Sequence, residues 1–282
     1  MKKLIALLIA LPLFAGGEAW LNLGYGSASQ AYDKDGNAHD IGGSASIMNI
    51  YLGGSYDFYK FPTLTLFGGG DLRLSQHKFS PDQGNSVSSG FALQNLVLFL
   101  GAKGLFFKAK LGFLMDLGPE MGTNKIPNTD EQNAIMINLS GTLPNPMFSL
   151  SAGIYYFLTL EGETKIFVPF PQPGFQTVKI DNGDYFAFFA KGGYKFAIGE
   201  AGLELIYRMR TTQKKEGEEI PDTDGNHFSL IPYVTITPPA MPFSFFIKGA
   251  VVDEYLPYGI SLMGKNDFVT RLGFTLGGKI RF

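Results

Sequence analysis

A histidine and a serine stand two residues apart in His227-Phe228-Ser229, and this is a combination that nucleophilic catalysis uses. An imidazole within hydrogen-bond reach can take the proton of a serine hydroxyl, while a third polar group orients the imidazole. In an extended segment the two side chains share one strand face, because side chains alternate with a period of two. The pair is therefore a candidate for ester hydrolysis.

Metal binding is the second chemistry to weigh, and two segments carry carboxylates at alternate positions. Asp33-Lys-Asp-Gly-Asn37 and Asp222-Thr-Asp-Gly-Asn226 open like a calcium loop, but the closing Glu is absent at the required distance in both. Asp-Gly also favours a hairpin turn, because it accepts positive φ angles. His39 and His77 have no His or Cys neighbour at metal spacing. The sequence therefore predicts turns, with no metal and no cofactor.

The composition of the chain limits its class. It has 282 residues with 36 Gly, 26 Phe, 13 Tyr and no Cys, and its formal net charge is −2. This charge balance argues against nucleic acid as a partner. A mean hydropathy of only +0.07 beside many glycines and aromatic residues is typical of alternating membrane strands.

The N-terminal segment has the pattern of a secretory signal peptide. A basic Met1-Lys2-Lys3 precedes an apolar run from Leu4 to Phe14, which is too short to cross a bilayer. Ala15-Gly16-Gly17 and Gly17-Glu18-Ala19 are both acceptable cleavage patterns, and the second cuts before Trp20. We predict a signal peptide over residues 1–19 and one β domain over 20–282.

The segment 270–282 alternates strictly between two faces. One face carries Leu272, Phe274, Leu276, Gly278, Ile280 and Phe282, and the other carries Arg271, Gly273, Thr275, Gly277, Lys279 and Arg281. This alternation predicts a β-strand with one apolar and one wet side.

This segment resembles the C-terminal assembly signal of bacterial outer-membrane β-barrel proteins, whose last strand alternates and ends in Phe. The resemblance implies that Phe282 is read by the barrel-assembly machinery. It also implies a bacterial outer-membrane location, with membrane lipids and lipopolysaccharide around the protein.

Twelve candidate strands follow one another with alternating short and long connections. They cover about 20–32, 44–58, 63–79, 88–101, 105–117, 132–142, 147–163, 182–196, 201–216, 226–237, 243–256 and 267–282. Tight turns on one side and long polar loops on the other are typical of outer-membrane barrels. We predict an all-β fold, namely a transmembrane antiparallel up-and-down β-barrel of about twelve strands with both termini in the periplasm.

In several of these strands the charged residues occupy only one parity, and a charge facing lipid is costly, so we expect them inside. The predicted lumen residues are Asp71, Arg73, Lys108, Lys110, Lys191, Lys195, Glu204, Arg208, Arg210, Lys248, Arg271, Lys279 and Arg281. The aromatic residues of the same parity are Tyr51, Phe67, Tyr155, Phe157, Phe189, Tyr233 and Phe246. Strand direction places seven of the cations at the periplasmic end, where only Asp57 opposes them. This distribution predicts mild anion preference.

The connection 164–180 differs from the other long loops because it is largely apolar and contains three prolines. One interpretation is a constriction in the barrel mouth formed by Phe167, Phe170 and Phe175. The alternatives are a hairpin whose arms flank Pro-Gln-Pro-Gly, and a partner-binding surface.

Three functions remain open at this point. We favour a non-enzymatic channel for passive passage of small solutes over a closed structural or adhesion barrel. An outer-membrane lipid or ester hydrolase comes third. Leu230 follows Ser229 where barrel hydrolases have Asn, and parity turns His227 and Ser229 inward rather than toward lipid.

Overall fold

The computed structural model describes residues 16–32, 38–88, 90–117, 133–168, 174–221, 224–239, 241–254 and 268–282. Its strands are β1 (Gly17–Tyr32), β2 (Ala38–Lys60), β3 (Thr65–Pro81), β4 (Val87–Ser88), β5 (Ala92–Lys103), β6 (Phe107–Asp116), β7 (Ala134–Pro144), β8 (Phe148–Thr159), β9 (Gly162–Val168), β10 (Gly174–Asp181), β11 (Tyr185–Phe196), β12 (Gly199–Arg210), β13 (Lys214–Lys215), β14 (Glu218–Glu219), β15 (Gly225–Ile236), β16 (Phe243–Glu254) and β17 (Phe268–Arg281). Within these residues no helix is long and apolar enough to cross a membrane.

Twelve of the strands form one closed antiparallel barrel, which confirms the predicted fold class. The order around the wall is β1, β2, β3, β5, β6, β7, β8, β11, β12, β15, β16 and β17, and β17 pairs with β1 again. Neighbours in sequence are neighbours in the wall because short turns join every second pair of strands. Closure gives each barrel strand a partner on both sides, so the wall has no free edge.

The two chain ends meet at the seam between β1 and β17. The Gly17 amide donates to the Phe282 carbonyl at 2.9 Å, and the Phe282 amide donates back to Gly17 at 3.2 Å. Glu18 lies opposite Arg281 in the register. The three residues from Gly17 to Ala19, which the sequence analysis placed in the signal peptide, are therefore strand residues in this structure. We call this end of the barrel, which also carries the tight turns, the terminal end, and the opposite end the loop end.

The outer face of the barrel is apolar over most of its height. Leu100 and Leu111 face each other across β5 and β6 and are 64% and 60% exposed. Exposed aromatic residues gather near the tight turns of the terminal end: Phe58, Tyr59, Phe61, Phe106, Phe107, Phe148, Tyr194, Phe196 and Phe245. Aromatic rings at a membrane boundary lie between headgroups and hydrocarbon, so this belt marks one boundary of an apolar band.

Four strands outside the barrel wall form a second, smaller sheet. β9 and β10 form an antiparallel hairpin that places Phe175 opposite Phe167, and β13 and β14 extend it. The described backbone of this connection, residues 164–168 and 174–180, thus pairs like the two arms of a hairpin, one of the alternatives left open above. Phe170 lies outside the described residues, as do the side chains of Phe167 and Phe175, so their role as a constriction stays a prediction.

Inside the barrel, several aromatic rings lie across a glycine on the next strand. A Cβ atom added at Gly277 would stand 2.2 Å from the Phe246 ring, and one at Gly153 would stand 2.6 Å from the Phe189 ring. Phe67 lies over Gly101 in the same way, at 2.5 Å. Contacts this short leave no room for a side chain at the glycine. The missing side chains let these rings pack against the wall.

Removal of Phe282 or its replacement by Asp should block assembly, because the strand that ends in Phe282 closes the seam with β1 and resembles the assembly signal of outer-membrane barrels. An unpaired backbone group in hydrocarbon costs several kcal/mol. We expect F282D to yield almost no heat-modifiable, protease-resistant protein in the outer membrane. F61S, an exposed aromatic in a tight turn away from the seam, should assemble normally. Normal yield of F282D would contradict the role assigned to the seam.

Gly277 and Gly278 offer a matched test of the ring packing. A Cβ at Gly278 meets the Phe245 ring at 3.7 Å, which is ordinary contact, whereas the distance at Gly277 is 2.2 Å. We expect G277A to lower the free energy of unfolding by about 1–3 kcal/mol, as overpacking does. G278A should change it by less than about 0.5 kcal/mol. Urea unfolding in liposomes checks this, and F246A should partly rescue G277A. Equal effects of the two alanines would contradict the packing account.

Candidate functional site

The polar face of the wall is the inner face of the barrel. Glu18 on β1 interacts electrostatically with Lys108 and Lys110 on β6, although β2, β3 and β5 separate these strands along the wall. Such contact is possible only through the interior. The other members of the polar face follow from the register, because side chains alternate along each paired strand.

Register and side-chain contacts show where each predicted lumen residue lies. Asp71 and Arg73 on β3, Lys108 and Lys110 on β6, Lys191 and Lys195 on β11, Glu204, Arg208 and Arg210 on β12, Lys248 on β16, and Lys279 and Arg281 on β17 all have the inward parity. Arg271 is opposite Asp253 in the register, and its side chain lies outside the described residues. The structure thus brings the charges to one face without by itself assigning them a transport role.

Ion pairs connect most cations near the terminal end to carboxylates. The nitrogen-to-oxygen distances are 2.7 Å for Lys103–Asp57, 2.9 Å for Lys248–Glu204, 3.8 Å for Lys191–Glu200, 2.5 Å for Lys279–Glu18 and 3.5 Å for Arg281–Glu18. The sequence analysis weighed only Asp57 against this basic end. It had assigned Glu18 to the signal peptide, Glu200 and Lys103 to turns, and Glu204 to the outer end. Extension of the strand alternation by a few residues would have found Glu18, Lys103 and Glu200, whereas Glu204 was already among the predicted lumen residues.

Lys108 and Lys110 differ from these paired cations. Within the described residues, neither ammonium group has a carboxylate oxygen within 4.0 Å. Lys108 Nζ lies 4.9 Å from the centre of the Phe67 ring, and Lys110 Nζ lies 4.6 Å from that of Phe99. An ammonium above an aromatic face is stabilised by the ring quadrupole without losing its charge. The two lysines therefore remain as adjacent positive charges on the inner wall.

Asp71 is a carboxylate on the inner wall that acts on both lysines of this pair. It accepts a hydrogen bond from Trp20 Nε1 at 2.6 Å and interacts electrostatically with Lys108 and Lys110. Gly53 leaves space for this contact, since a Cβ there would meet both the Asp71 oxygen and the Trp20 nitrogen within 2.5 Å. Trp20 is thus an interior residue that the sequence analysis did not select.

Toward the loop end, the inner face is polar and largely buried. Arg73 donates to Asn49 Oδ1 from Nε and Nη2 at 3.3 and 3.1 Å and stacks above Tyr51 at 5.2 Å. On β3 and β5, the Ser75 hydroxyl donates to Gln94 Oε1 at 3.1 Å. Both of these residues are fully buried. Hydrogen bonding of this kind holds long polar side chains in place on the inner wall.

The serine of the predicted His-x-Ser pair lies in this region. Ser229 is fully buried on the inner face, and its hydroxyl oxygen accepts a hydrogen bond from Arg208 Nη1 at 2.5 Å. Phe228 next to it is exposed on the outer face. The His227 side chain lies outside the described residues. An inward serine bound by a guanidinium is unlike a nucleophile presented to lipid, so this arrangement gives no support to the hydrolase alternative.

The predicted lumen aromatics pack on one another or on charged neighbours. Tyr155 contacts Phe189 with ring centres 5.1 Å apart, and Phe157 contacts Tyr185 at 5.6 Å. The Tyr233 hydroxyl donates to Glu200, and Lys191 Nζ lies 4.0 Å above the Tyr233 ring. Most of these rings are therefore held in defined positions. Across the part of the chain that the structure describes, no group of three or more His, Cys, Asp or Glu residues could hold a metal ion.

No protein-family model matches the chain, and no curated protein matches it either. Solved structures do match. An outer membrane channel from Pseudomonas putida F1 has 9% sequence identity over 95% of both chains, with a TM-score of 0.74. The β domain of the Bordetella autotransporter BrkA has 10% identity over 95% of this chain and 100% of its own, with a TM-score of 0.55.

A further match is the transport unit of the autotransporter AIDA-I from Escherichia coli. It has 11% identity, covers 99% of this chain and 97% of its own, and has a TM-score of 0.51. At these identities the likeness concerns the fold. Together with the closed barrel described above, it shows that the chain has the fold of the bacterial outer-membrane β-barrels.

Proposed function

We propose that the protein is an outer-membrane channel for passive passage of small solutes. The observation that carries the proposal is the inner wall, on which charged groups and aromatic rings are arranged around the interior of a closed barrel. A barrel of about eight strands is filled by its own side chains and one of about sixteen leaves a wide aqueous channel, so twelve suit a narrow conduit. Rings that pack over glycines lie against the wall, so they leave more of the barrel cross-section open.

The interior charges of the terminal end support weak selectivity. The cations there are Lys103, Lys108, Lys110, Lys191, Lys195, Lys248, Lys279 and Arg281, and the carboxylates are Glu18, Asp57, Asp71, Glu200 and Glu204. Eight cations against five carboxylates leave an excess of three positive charges, smaller than the sequence analysis expected. A narrow conduit with such a field concentrates counter-ions. We therefore propose mild anion preference that weakens as salt rises.

The orientation and surroundings of the barrel belong to the same proposal. Gly17 at the start of β1, Phe282 after β17 and the aromatic belt lie at the end with tight turns. In outer-membrane barrels the short turns face the periplasm. Lipids and lipopolysaccharide would surround the apolar outer face, and the barrel-assembly machinery would recognise the strand that ends in Phe282.

A closed structural barrel is the second candidate, and one observation favours it. Ser75 and Gln94 on one wall and Ser229 on the opposite wall are all inaccessible to water at the loop end. Polar side chains buried on both walls narrow the interior there. The two candidates differ in conductance, since a closed barrel passes no ions in either direction.

The Lys248–Glu204 ion pair provides a test in which substitutions of its two residues should shift anion preference in opposite directions. Neutralisation of Glu204 leaves Lys248 unpaired, so E204Q should raise anion preference, while K248Q should lower it. Both residues face the interior and lie 2.9 Å apart, so each variant changes the field at the same place. The measurement is the reversal potential of the reconstituted protein under a KCl gradient.

The control is K60Q, because Lys60 is exposed at the terminal end of β2, and Asp57, 3.9 Å from it, stays paired with Lys103 at 2.7 Å. We expect its reversal potential to equal that of the unaltered protein. Absence of conductance would support the closed barrel, and clear cation selectivity would contradict the proposed charge of the channel. Identical potentials for E204Q and K248Q would show that ions do not pass this ion pair.

A further inference from the structure

We propose that Lys108 and Lys110 form a binding site for small carboxylates that carry an apolar group. The proposal rests on the proposed channel function, which brings solutes to the inner wall, and it names the class of solute. Both side chains project from the same face of β6, two residues apart, so their ammonium groups can contact one bound carboxylate together.

Within the described residues neither lysine of this pair forms an ion pair, so both ammonium groups can bind an incoming anion. Lys103, Lys191, Lys248 and Lys279 on the same inner wall each have a carboxylate oxygen within 3.8 Å, whereas the described residues provide none within 4.0 Å of Lys108 or Lys110. Partly buried cations without a partner gain more from an incoming anion than cations that must first break an ion pair. A carboxylate ligand would supply the oxygen atoms that the protein itself does not.

The surroundings of the pair select the rest of the ligand. Phe67 and Phe99 lie beneath the two ammonium groups, and their rings contact each other at 6.2 Å with nearly perpendicular planes. Val97 and Leu114 form the next row on the same face. A solute with a ring or short alkyl chain gains binding free energy because it buries apolar area against these residues. Simple inorganic anions lack that contribution.

Asp71 limits the site to ligands of low charge. Its carboxylate interacts with both lysines and is held by Trp20, so Asp71 and the two lysines together carry one net positive charge. A monocarboxylate neutralises this charge, whereas a dicarboxylate would leave a net negative charge on the group. Weak, reversible binding of this kind suits a channel, because a solute held tightly would not leave.

Trp20 reports occupancy of the site directly, since it is the one Trp in the sequence and bonds to Asp71. The refolded full chain is titrated with cyclohexanecarboxylate and, separately, with the neutral isostere cyclohexylmethanol while tryptophan fluorescence is followed. We expect saturable binding of the carboxylate and at least about tenfold weaker binding of the alcohol. That ratio corresponds to about 1.4 kcal/mol.

The variant K108Q/K110Q should raise the dissociation constant of the carboxylate about tenfold. K191Q is the matched control, because Lys191 lies 4.0 Å above the Tyr233 ring but is paired with Glu200. It should change the dissociation constant less than twofold. Equal effects of the two variants, equal binding of acid and alcohol, or no saturable signal would each overturn the proposal.

The proposed channel function is tested separately, by measurement of the ion current through the reconstituted protein. Conductance without carboxylate binding leaves the channel standing and removes the site. Binding without conductance keeps the site and removes the channel. A refolded K108Q/K110Q protein that shows normal heat modifiability separates loss of binding from loss of fold.

A different observation, the seam at the terminal end, carries a second inference. We infer that signal peptidase cleaves on the N-terminal side of Glu18, not before Trp20. Glu18 pairs in the register with Arg281 on β17 and Ser55 on β2. Its carboxylate lies 2.5 Å from Lys279 Nζ and 3.5 Å from Arg281 Nε.

Cleavage before Trp20 would remove these partners. The last residues of β17 would then be an unpaired strand edge, and two cations would lose their carboxylate. The pattern Ala15-Gly16-Gly17 has small residues at the two positions that signal peptidase reads. Cleavage after it removes Gly17 and its two bonds to Phe282 but leaves Glu18 and its ion pairs in the mature chain. The structure thus favours one of the two patterns that the sequence leaves open.

The intact mass of the protein purified from the outer membrane of a Gram-negative host decides this. We expect a mature chain that begins at Glu18. A chain that begins at Ala19 or Trp20, or one that keeps the whole segment 1–17, would overturn the inference.

Discussion

The hydrogen-bonding demand of the backbone is the constraint on which this structure depends. Hydrocarbon offers no water to an unpaired amide or carbonyl, so a sheet that crosses a membrane must close on itself. Here closure requires β17 to meet β1, and the two strands pair antiparallel from Glu18 opposite Arg281 to Tyr32 opposite Phe268. The same closure creates an enclosed interior, and the charged side chains described for the middle of the wall face that interior. The candidate site is therefore a consequence of how the backbone is satisfied.

The inner wall carries large aromatic side chains in an arrangement that keeps them from filling the barrel. Glycines on neighbouring strands accept the rings of Phe67, Phe189 and Phe246, so each ring lies over backbone. Lysines then lie above several rings, and carboxylates pair with most of those lysines. This layering from glycine to ring to ammonium places charge nearest the interior. Lys108 and Lys110 are the members of that outermost layer for which the described residues provide no carboxylate oxygen within ion-pair distance.

The period-two alternation made the barrel predictable, because strand faces are a local property of the sequence. The inward parity of Lys110, Lys191 and Lys248 follows from counting along one strand. The ion pairs do not, since Lys248–Glu204 and Lys279–Glu18 depend on which strands are neighbours and on their register. Glu18 was missed for a further physical reason: its segment satisfies the requirements of a cleavage signal and of a strand at once. The hairpin β9–β10 was one of several open alternatives because its three prolines and apolar arms suit a constriction equally well.

The central claim is that solutes pass through the interior of this barrel, and liposome swelling tests it most directly. Proteoliposomes are placed in isosmotic solutions of uncharged sugars of increasing size and of small monocarboxylate salts. The account predicts swelling with the smallest solutes, faster entry of monocarboxylates than of sugars of equal size, and a sharp size limit. Liposomes that hold correctly folded, heat-modifiable protein and yet do not swell in any of these solutions would contradict it.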